Sequence, residues 1–461
     1  MDELPSPILW GKQTTLSLKY FDIGEHKFSS DFIYALVEIK RACAAVNYEL
    51  NVLSVSQMQA IVKACDEVLA GSFNEQFPLR VWQTGSGTQT NMNVNEVLAT
   101  IANQLSQSGD TDNAHCNVEL LHPNDHINRS QSSNDVFPTA MHIVVSQWTE
   151  RKLLPAINVL QRQLRLKQRE FTREYSVART HLMDAIPIDA GALLSAFDSQ
   201  LELSEVAITD SLQYVYRLAI GGTAVGSGAN APKAFGKMVT HKLAERLQLP
   251  FKQDENLYAA VSGEDAMIRY SGALKQLASA LLKIANDFRL LGSGPRCGLN
   301  EWKLPANEPG SSIMPGKVNP TQCEALSMVC FQVFGNDLTT SLAGANGQLQ
   351  LNACRPVIIH NVMESISLLT DAILSFAHNA VMGLELNSEQ VQHNMQKNLS
   401  VITLLTEQLG YDMAAKIVQK AQHDNTSLAL SAESLGVCSV TEFELLITTK
   451  LKEQKLSDNT N

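Results

Sequence analysis

At 461 residues, with 44% hydrophobic and 18% charged residues, the chain can bury a large core, has the composition of an ordinary soluble enzyme, and by length suggests about three domains. A formal net charge of −11 argues against the basic face that a nucleic-acid partner needs, but not against a small anionic metabolite, because a few local cations and N–H groups outweigh the global sign at short range. The acidic start Met1-Asp2-Glu3-Leu4-Pro5 lacks the pattern of a secretory signal or an Arg-rich transit peptide, and no apolar run reaches spanning length, so a cytoplasmic protein without a membrane partner is expected.

The eight cysteines (Cys43, Cys65, Cys116, Cys297, Cys323, Cys330, Cys354, Cys438) form no Cys-x-x-Cys pair and no Cys/His spacing of a zinc site. They read as reduced thiols, and no metal or other cofactor is expected.

Along the chain, the first third reads as short helices joined by polar loops. Ser54 and Gln57 form a capping-box pattern, followed at helical spacing by Met58, Ile61, Val62, Cys65, Val68 and Leu69 until Gly71 closes the segment. The run Trp82 to Glu96 places glycines and small hydroxyl residues before a helix. Free N–H groups with Ser86 and Thr88 suit an anion there, although the same residues also serve a plain N-cap with a flexible approach. A second polar run, His122 to Asp135, again ends where an apolar-periodic helix begins.

From Pro138 to about Ala380 the chain reads as long helices. Leu274, Leu277, Leu281, Ile284, Phe288 and Leu291 alternate steps of three and four, as do Ile359, Val362, Ile366, Leu369, Ile373 and Phe376, which implies bundle packing at a small crossing angle. Phe197, Leu201, Ser204, Ile208, Ser211, Val215 and Leu218 share that spacing, with two serines that let a neighbouring helix approach closely. No strand-period segment of comparable length is evident. In Arg179-Thr180-His181-Leu182-Met183-Asp184-Ala185, a lone histidine near a helix reads by itself as structural. After about Leu386 the chain turns to shorter amphipathic pieces and a polar tail from Lys450.

The stretch Gly310-Ser311-Ser312-Ile313-Met314-Pro315-Gly316-Lys317-Val318-Asn319 is too irregular for a helix interior. Hydroxyls, an ammonium, an amide and free N–H groups together suit a carboxylate, which accepts several charge-assisted hydrogen bonds. A polar interhelix turn ending at Pro320 is the alternative.

This stretch, with Glu308-Pro309 before it and Pro320-Thr321-Gln322-Cys323-Glu324-Ala325-Leu326 after it, resembles the signature loop of the class II fumarases, in the fumarase/aspartase superfamily. The resemblance runs from about Leu9-Trp10-Gly11 to the C-terminal region. It implies an all-α fold, a long central helix bundle (132–388) flanked by smaller helical domains (1–131 and 389–461). It also implies a homotetramer whose sites draw on three subunits.

The activity implied is reversible hydration of fumarate to (S)-malate. Such chemistry needs a base for the carbon-bound proton, a clamp for the charge that grows on one carboxylate, and a group that handles the hydroxyl. By resemblance Ser311 is the base, and we infer that loop N–H groups and Lys317 lower the cost of ionising it. His181 is the acid/base paired with Glu324, and substrate contacts fall on Ser86, Gly87, Thr88, Ser132, Ser133, Asn134, Thr180, Ser312, Lys317 and Asn319. A secondary carboxylate site would involve His122, Asn124 and Asp125, although Glu119 stands where such fumarases often have an arginine.

Aspartases usually have Thr in place of Ser133 and Gln in place of His181, which favours the hydratase. Gly347-Gln348-Leu349-Gln350-Leu351-Asn352 reads more like an aspartase, and Gly226-Ser227-Gly228-Ala229-Asn230 is atypical. The competing readings are an aspartate ammonia-lyase on the same fold and an inactive crystallin-like structural homologue.

Overall fold

Ser54 caps the Val55–Leu69 helix as its sequence requires: Ser54 Oγ accepts the Gln57 N–H at 3.2 Å and Gln57 Oε1 accepts the Ser54 N–H at 2.9 Å. Gly71, at φ +89, ends the segment. The computed structural model describes residues 7–108 and 120–458. Helices dominate, among them Ser30–Glu49, Thr88–Ser108, Ser133–Trp148, Ala192–Val215, Asp265–Leu291, Thr321–Ala345 and Arg355–Phe376. The fold is all-α, as expected.

The chain divides into two compact units. One comprises Met1–Asn158, Glu202–Leu281 and Met328–Ile373, and the other Val159–Leu201, Leu282–Ser327 and Leu374–Asn461. Within the first, the Ser30–Glu49 helix packs against Val55–Leu69, Ser133–Trp148 and Phe235–Leu247. Phe28, Phe32 and Phe137 form an aromatic cluster there, with Phe32 and Phe137 centroids 4.9 Å apart. Within the second, Phe288 packs edge-on against Trp302 at 4.9 Å and Phe376 at 5.0 Å, and Val401, Leu405, Ile417 and Ala432 build a further core cluster near the C-terminus. The periodic residues of the long helices are buried, Ser204 and Ser211 included, apart from Leu291 at a helix end, which is half-buried.

Two features depart from the sequence reading. The Tyr175–Thr180 and Met183–Asp189 segments form an antiparallel hairpin, where no comparable strand was expected. Its pairing shifts between Val177 and Arg179, and that irregularity blurs the two-residue period a strand otherwise shows. Secondly, Arg355–Val381 has the length, 27 residues, and the mean hydropathy, 1.4, of a membrane span. It is interrupted by Glu364 and Asp371, and its apolar side chains Ile358, Ile359, Val362 and Ile366 are buried in the protein's own core.

Candidate active site

In the first unit, Gly87 (φ +73) opens the Thr88–Ser108 helix in a place no other residue could occupy. A Cβ there would lie 2.1 Å from the Phe137 ring, and one at Gly85 would lie 1.4 Å from Ala353 O. The loop backbone is thus pressed onto its neighbours, and Ser86 Oγ meets Thr88 Oγ1 at 2.8 Å. One turn into the helix, Asn91 Nδ2 donates to Ser133 Oγ at 2.9 Å, which ties this segment to the start of the Ser133–Trp148 helix.

That second helix is capped by Ser132, whose Oγ accepts the Asn134 N–H at 3.2 Å. Asp135 completes the box: its Oδ1 accepts the Ser132 N–H at 2.9 Å, and its Oδ2 accepts the N–H groups of Gly221 (3.0 Å) and Thr223 (2.8 Å). Burial pushes the Asp135 carboxyl up to about 6 against the pull of these three donors. Asn134 Nδ2 donates to Ala224 O at 2.8 Å.

Pro138 lies inside this helix and lacks the N–H that would bond Asn134 O. Arg355 supplies the missing donor: Nη1 reaches Asn134 O at 2.7 Å, Nη2 reaches Val261 O at 2.6 Å, and Nε reaches Glu264 Oε1 at 2.6 Å. Both charged side chains are sealed from solvent. The Arg355 backbone N–H also bonds Gly85 O at 3.1 Å, so one residue joins the Ser86 loop to the first turn of the Ser133–Trp148 helix. Arg355, Glu264 and Asp135 were not among the residues expected at the site. A proline four residues after Asn134 is the sequence signal that a donor from elsewhere is needed.

His122, Asn124 and Asp125 share a one-turn segment whose π-helical part is Pro123–Ile127, and all three are exposed. His122 Nδ1 accepts the Asp125 N–H at 3.3 Å. Glu119 lies outside the described residues. The Gln348–Leu351 segment closes as a tight bridge with Leu349 at φ +52, and Asn352 Nδ2 fastens it to Ala343 O and Gly344 O at 3.0 Å each. Elsewhere in this unit, a cavity of about 410 Å3 lined by His142, Tyr214, Arg217, Asp254 and Arg269 contains none of the expected residues.

In the second unit, Thr180 and His181 stand at the tip of the hairpin rather than on a helix. Thr180 pairs with Met183, leaving His181 (φ +55) and Leu182 (φ +63) as the two turn residues. Both occupy the left-handed region that such a turn demands and that Asn-Gly normally fills. Each costs about 1 kcal/mol or more in this conformation, a strain concentrated where a ring is projected into solvent. Next to the turn the hairpin is held by Arg179, which bonds both oxygens of Glu301 (3.0 and 2.6 Å), while Asn394 Nδ2 donates to Glu301 Oε1 at 2.8 Å. The Glu301 bond holds the Arg179 guanidinium above its usual range. A cavity of about 340 Å3 beside it is lined by Arg179, Leu182, Asp184, Leu299, Asn394 and Lys397.

The Gly310–Asn319 loop is pinched shut at its base: the Gly310 N–H bonds Lys317 O at 3.0 Å, and Asn319 Nδ2 bonds Gly310 O at 2.5 Å. Only glycine fits at 310, since a Cβ would meet Lys317 O at 2.3 Å. Inside the loop, Ser311 Oγ accepts the N–H groups of Ile313 (3.2 Å) and Met314 (3.0 Å), an arrangement that stabilises negative charge on that oxygen. Ser312 and Lys317 are exposed, and the Lys317 ammonium has no partner among the described residues. Part of Asn319's amide is spent on closing the loop.

Glu324, in the first turn of the Thr321–Ala345 helix, is exposed. Within one chain no hydrogen bond or ion pair joins it to His181, and both side chains are without partners among the described residues.

The family model described as Lyase matches residues 3–335. The chain is 47% identical over 449 residues to a fumarate hydratase class II of Thermosynechococcus vestitus, covering 97% of this chain and 95% of that one. It is 50% identical over 442 residues to fumarate hydratase class II 1 of Pseudomonas aeruginosa, covering 96% and 94%. A crystal structure of recombinant class II fumarase from Schistosoma mansoni superimposes with a TM-score of 0.91 at 43% identity, covering 96% of this chain and 95% of that chain. The chain belongs to the class II fumarate hydratase family of lyases.

Proposed function

We propose that this chain is a fumarate hydratase, a hydro-lyase that adds water reversibly across the double bond of fumarate to give (S)-malate. In the malate-to-fumarate direction, the Ser311 oxygen removes the carbon-bound proton, leaving a carbanion whose charge spreads into the adjacent carboxylate. Lys317, with the Asn319 amide beside it, meets that charge. The hydroxyl then leaves from the opposite face with a proton delivered by way of His181, which Glu324 orients, so one water is released. Ser86, Gly87, Thr88, Ser132, Ser133, Asn134, Thr180 and Ser312 hold the two carboxylates, and each step is carried by side chains or N–H groups of this protein. What carries the reading is the near-full-length similarity to fumarate hydratases taken with the two N–H groups aimed at Ser311 Oγ. A secondary carboxylate site at His122, Asn124 and Asp125 belongs to the same proposal.

The reading includes a homotetramer with sites shared between subunits, the 1–131, 132–388 and 389–461 division, and a cytoplasmic location. For the tetramer, Met328, Phe331, Leu338 and Leu342 form an exposed apolar stripe along the Thr321–Ala345 helix, Leu342 being 66% exposed, and such a stripe calls for a partner. His181 and Glu324, each exposed and unpaired within a chain, fit a pair made between chains. The test is to unfold inactive His181→Asn and Ser311→Ala proteins together and refold them as mixed tetramers. With random mixing roughly a quarter of the sites receive both intact residues, and fumarate formation from malate returns. Mixed tetramers that form but stay inactive would put both residues of a site in one chain.

A further inference from the structure

Lys40 has no solvent exposure, lies in the middle of the Ser30–Glu49 helix, and has no carboxylate partner among the described residues. Its ammonium donates instead to two neutral side-chain oxygens, Asn128 Oδ1 at 2.8 Å and Gln131 Oε1 at 2.9 Å. A buried, unpaired cation is costly, and a Met or Gln would fill the volume without the charge. Stability of the fold therefore does not account for a lysine at this position.

The two residues it holds form the turn that leads into the Ser132 cap. Gln131 Nε2 in turn bonds Ile127 O and Arg129 O at 3.0 Å each, and Asn128 Nδ2 reaches Gln131 O at 3.4 Å, so the turn is organised around the two side chains that Lys40 grips. Asn128 Oδ1 also accepts from Asn91 Nδ2 at 3.2 Å, and the same Nδ2 donates to Ser133 Oγ. Two helical turns further along the Lys40 helix, Asn47 supports the same segment, its Nδ2 on Arg129 O at 3.0 Å and its Oδ1 accepting from Ser130 Oγ at 2.8 Å. Asn47 does this without charge, which isolates what is unusual about Lys40.

We propose that Lys40 is a positioning residue for the substrate: its buried ammonium sets the 128–131 turn that presents Ser132, Ser133 and Asn134, and supplies from behind the positive potential that makes this turn receptive to a carboxylate. The inference rests on the dicarboxylate reading above. The titratable groups facing the ammonium are Cys43 on its own helix, Cys65 on the Val55–Leu69 helix and Asp135 on the Ser133–Trp148 helix. Burial pushes both thiols up, so they stay neutral, and Asp135 is already engaged by three backbone N–H groups. Burial lowers Lys40 itself to about 8, so the charge is lost at the alkaline end of the working range.

The experiment is steady-state kinetics of the purified full-length protein on (S)-malate from pH 7 to pH 9.5, for the wild type, Lys40→Met and Lys40→Arg. The wild-type KM should climb above pH 8 towards a plateau about tenfold higher, with kcat changing less. Lys40→Met should show a KM raised about tenfold at neutral pH, where its loss of about 1.4 kcal/mol in binding is already complete, and no further alkaline rise. Lys40→Arg, whose guanidinium keeps its charge, should lack the alkaline rise as well. A wild-type KM that is flat across the range, or a Lys40→Met protein with the wild-type KM, overturns the proposal. If neither variant folds, the wild-type profile alone decides. No turnover of malate by the wild type at neutral pH would count against the hydratase reading instead, and calorimetric titration of malate over the same pH range would then decide the role of Lys40.

Discussion

Arg179 grips Glu301 through two parallel hydrogen bonds, Nη1 to Oε2 at 3.0 Å and Nη2 to Oε1 at 2.6 Å, and so fixes the strand whose next two residues are Thr180 and His181. Glu301 is 2% exposed and precedes the buried Trp302, so the grip ties a strained turn to an aromatic core. Glu301→Ala removes the bidentate partner of the Arg179 guanidinium and leaves it, as carboxylate among the described residues, only Asp184 Oδ1, 4.0 Å from its Nε, a loss of roughly 2–4 kcal/mol for a largely buried pair. Urea unfolding should show that loss, and kcat should fall by more than KM rises, because the displaced group, His181, is the one proposed to carry the proton. Unchanged midpoint and turnover would mean that the hairpin is held elsewhere.

Arg355 substitutes for the N–H that Pro138 lacks, which makes the two residues energetically coupled. Arg355→Lys cannot reach Asn134 O, Val261 O and Glu264 at once, and should cost about 2 kcal/mol or more, with a higher KM as the Ser86 loop and the first turn at Asn134 loosen. In a Pro138→Ala background the new backbone N–H takes over Asn134 O, so the same Arg355→Lys change should cost less. A double-mutant cycle reads this directly, and strict additivity would contradict the coupling.

Asp135 titrates in the opposite sense to an ordinary paired carboxylate. Its folded value, about 6, lies above the ordinary 3.8, so the folded state holds a proton in the window between them that the unfolded chain has released. The contribution of this group to stability is complete below that window and is lost as pH rises through 6, to a total of about 3 kcal/mol. The stability of the wild type relative to Asp135→Asn should therefore decline between pH 4 and pH 7. A relative stability that instead rises over this interval, followed by chemical denaturation, would show that the three N–H donors outweigh burial.

The sequence carried the parts of this protein that rest on repeating patterns. The capping box at Ser54 and the buried seams of the long helices follow from hydrophobic period and N-cap chemistry, because there each residue's environment is set by its own helix. The hairpin was hidden: its pairing slips at Val177, and its turn is His-Leu where Asn-Gly would have announced it. Lys40 and Arg355 were hidden for a different reason. A lysine in a helix ordinarily reaches solvent and an arginine ordinarily sits at the surface, and only the packing of other segments turns them into internal props. Of the expected site, the Ser311 loop was the most legible, because glycine, proline and adjacent hydroxyls mark an irregular polar turn within ten residues. That Asn319 partly closes the loop was not, since its acceptor is a backbone carbonyl nine residues away.

The hydratase reading turns on one comparison: the purified protein is incubated separately with (S)-malate and with L-aspartate, and fumarate is followed by its ultraviolet absorbance. The account predicts that fumarate accumulates from malate, that aspartate yields little or none, and that Ser311→Ala, still folded because it alters only a loop hydroxyl, loses malate turnover by orders of magnitude. Faster release of fumarate from aspartate than from malate would contradict it in favour of an ammonia-lyase, and no fumarate from either would contradict it in favour of an inactive structural homologue.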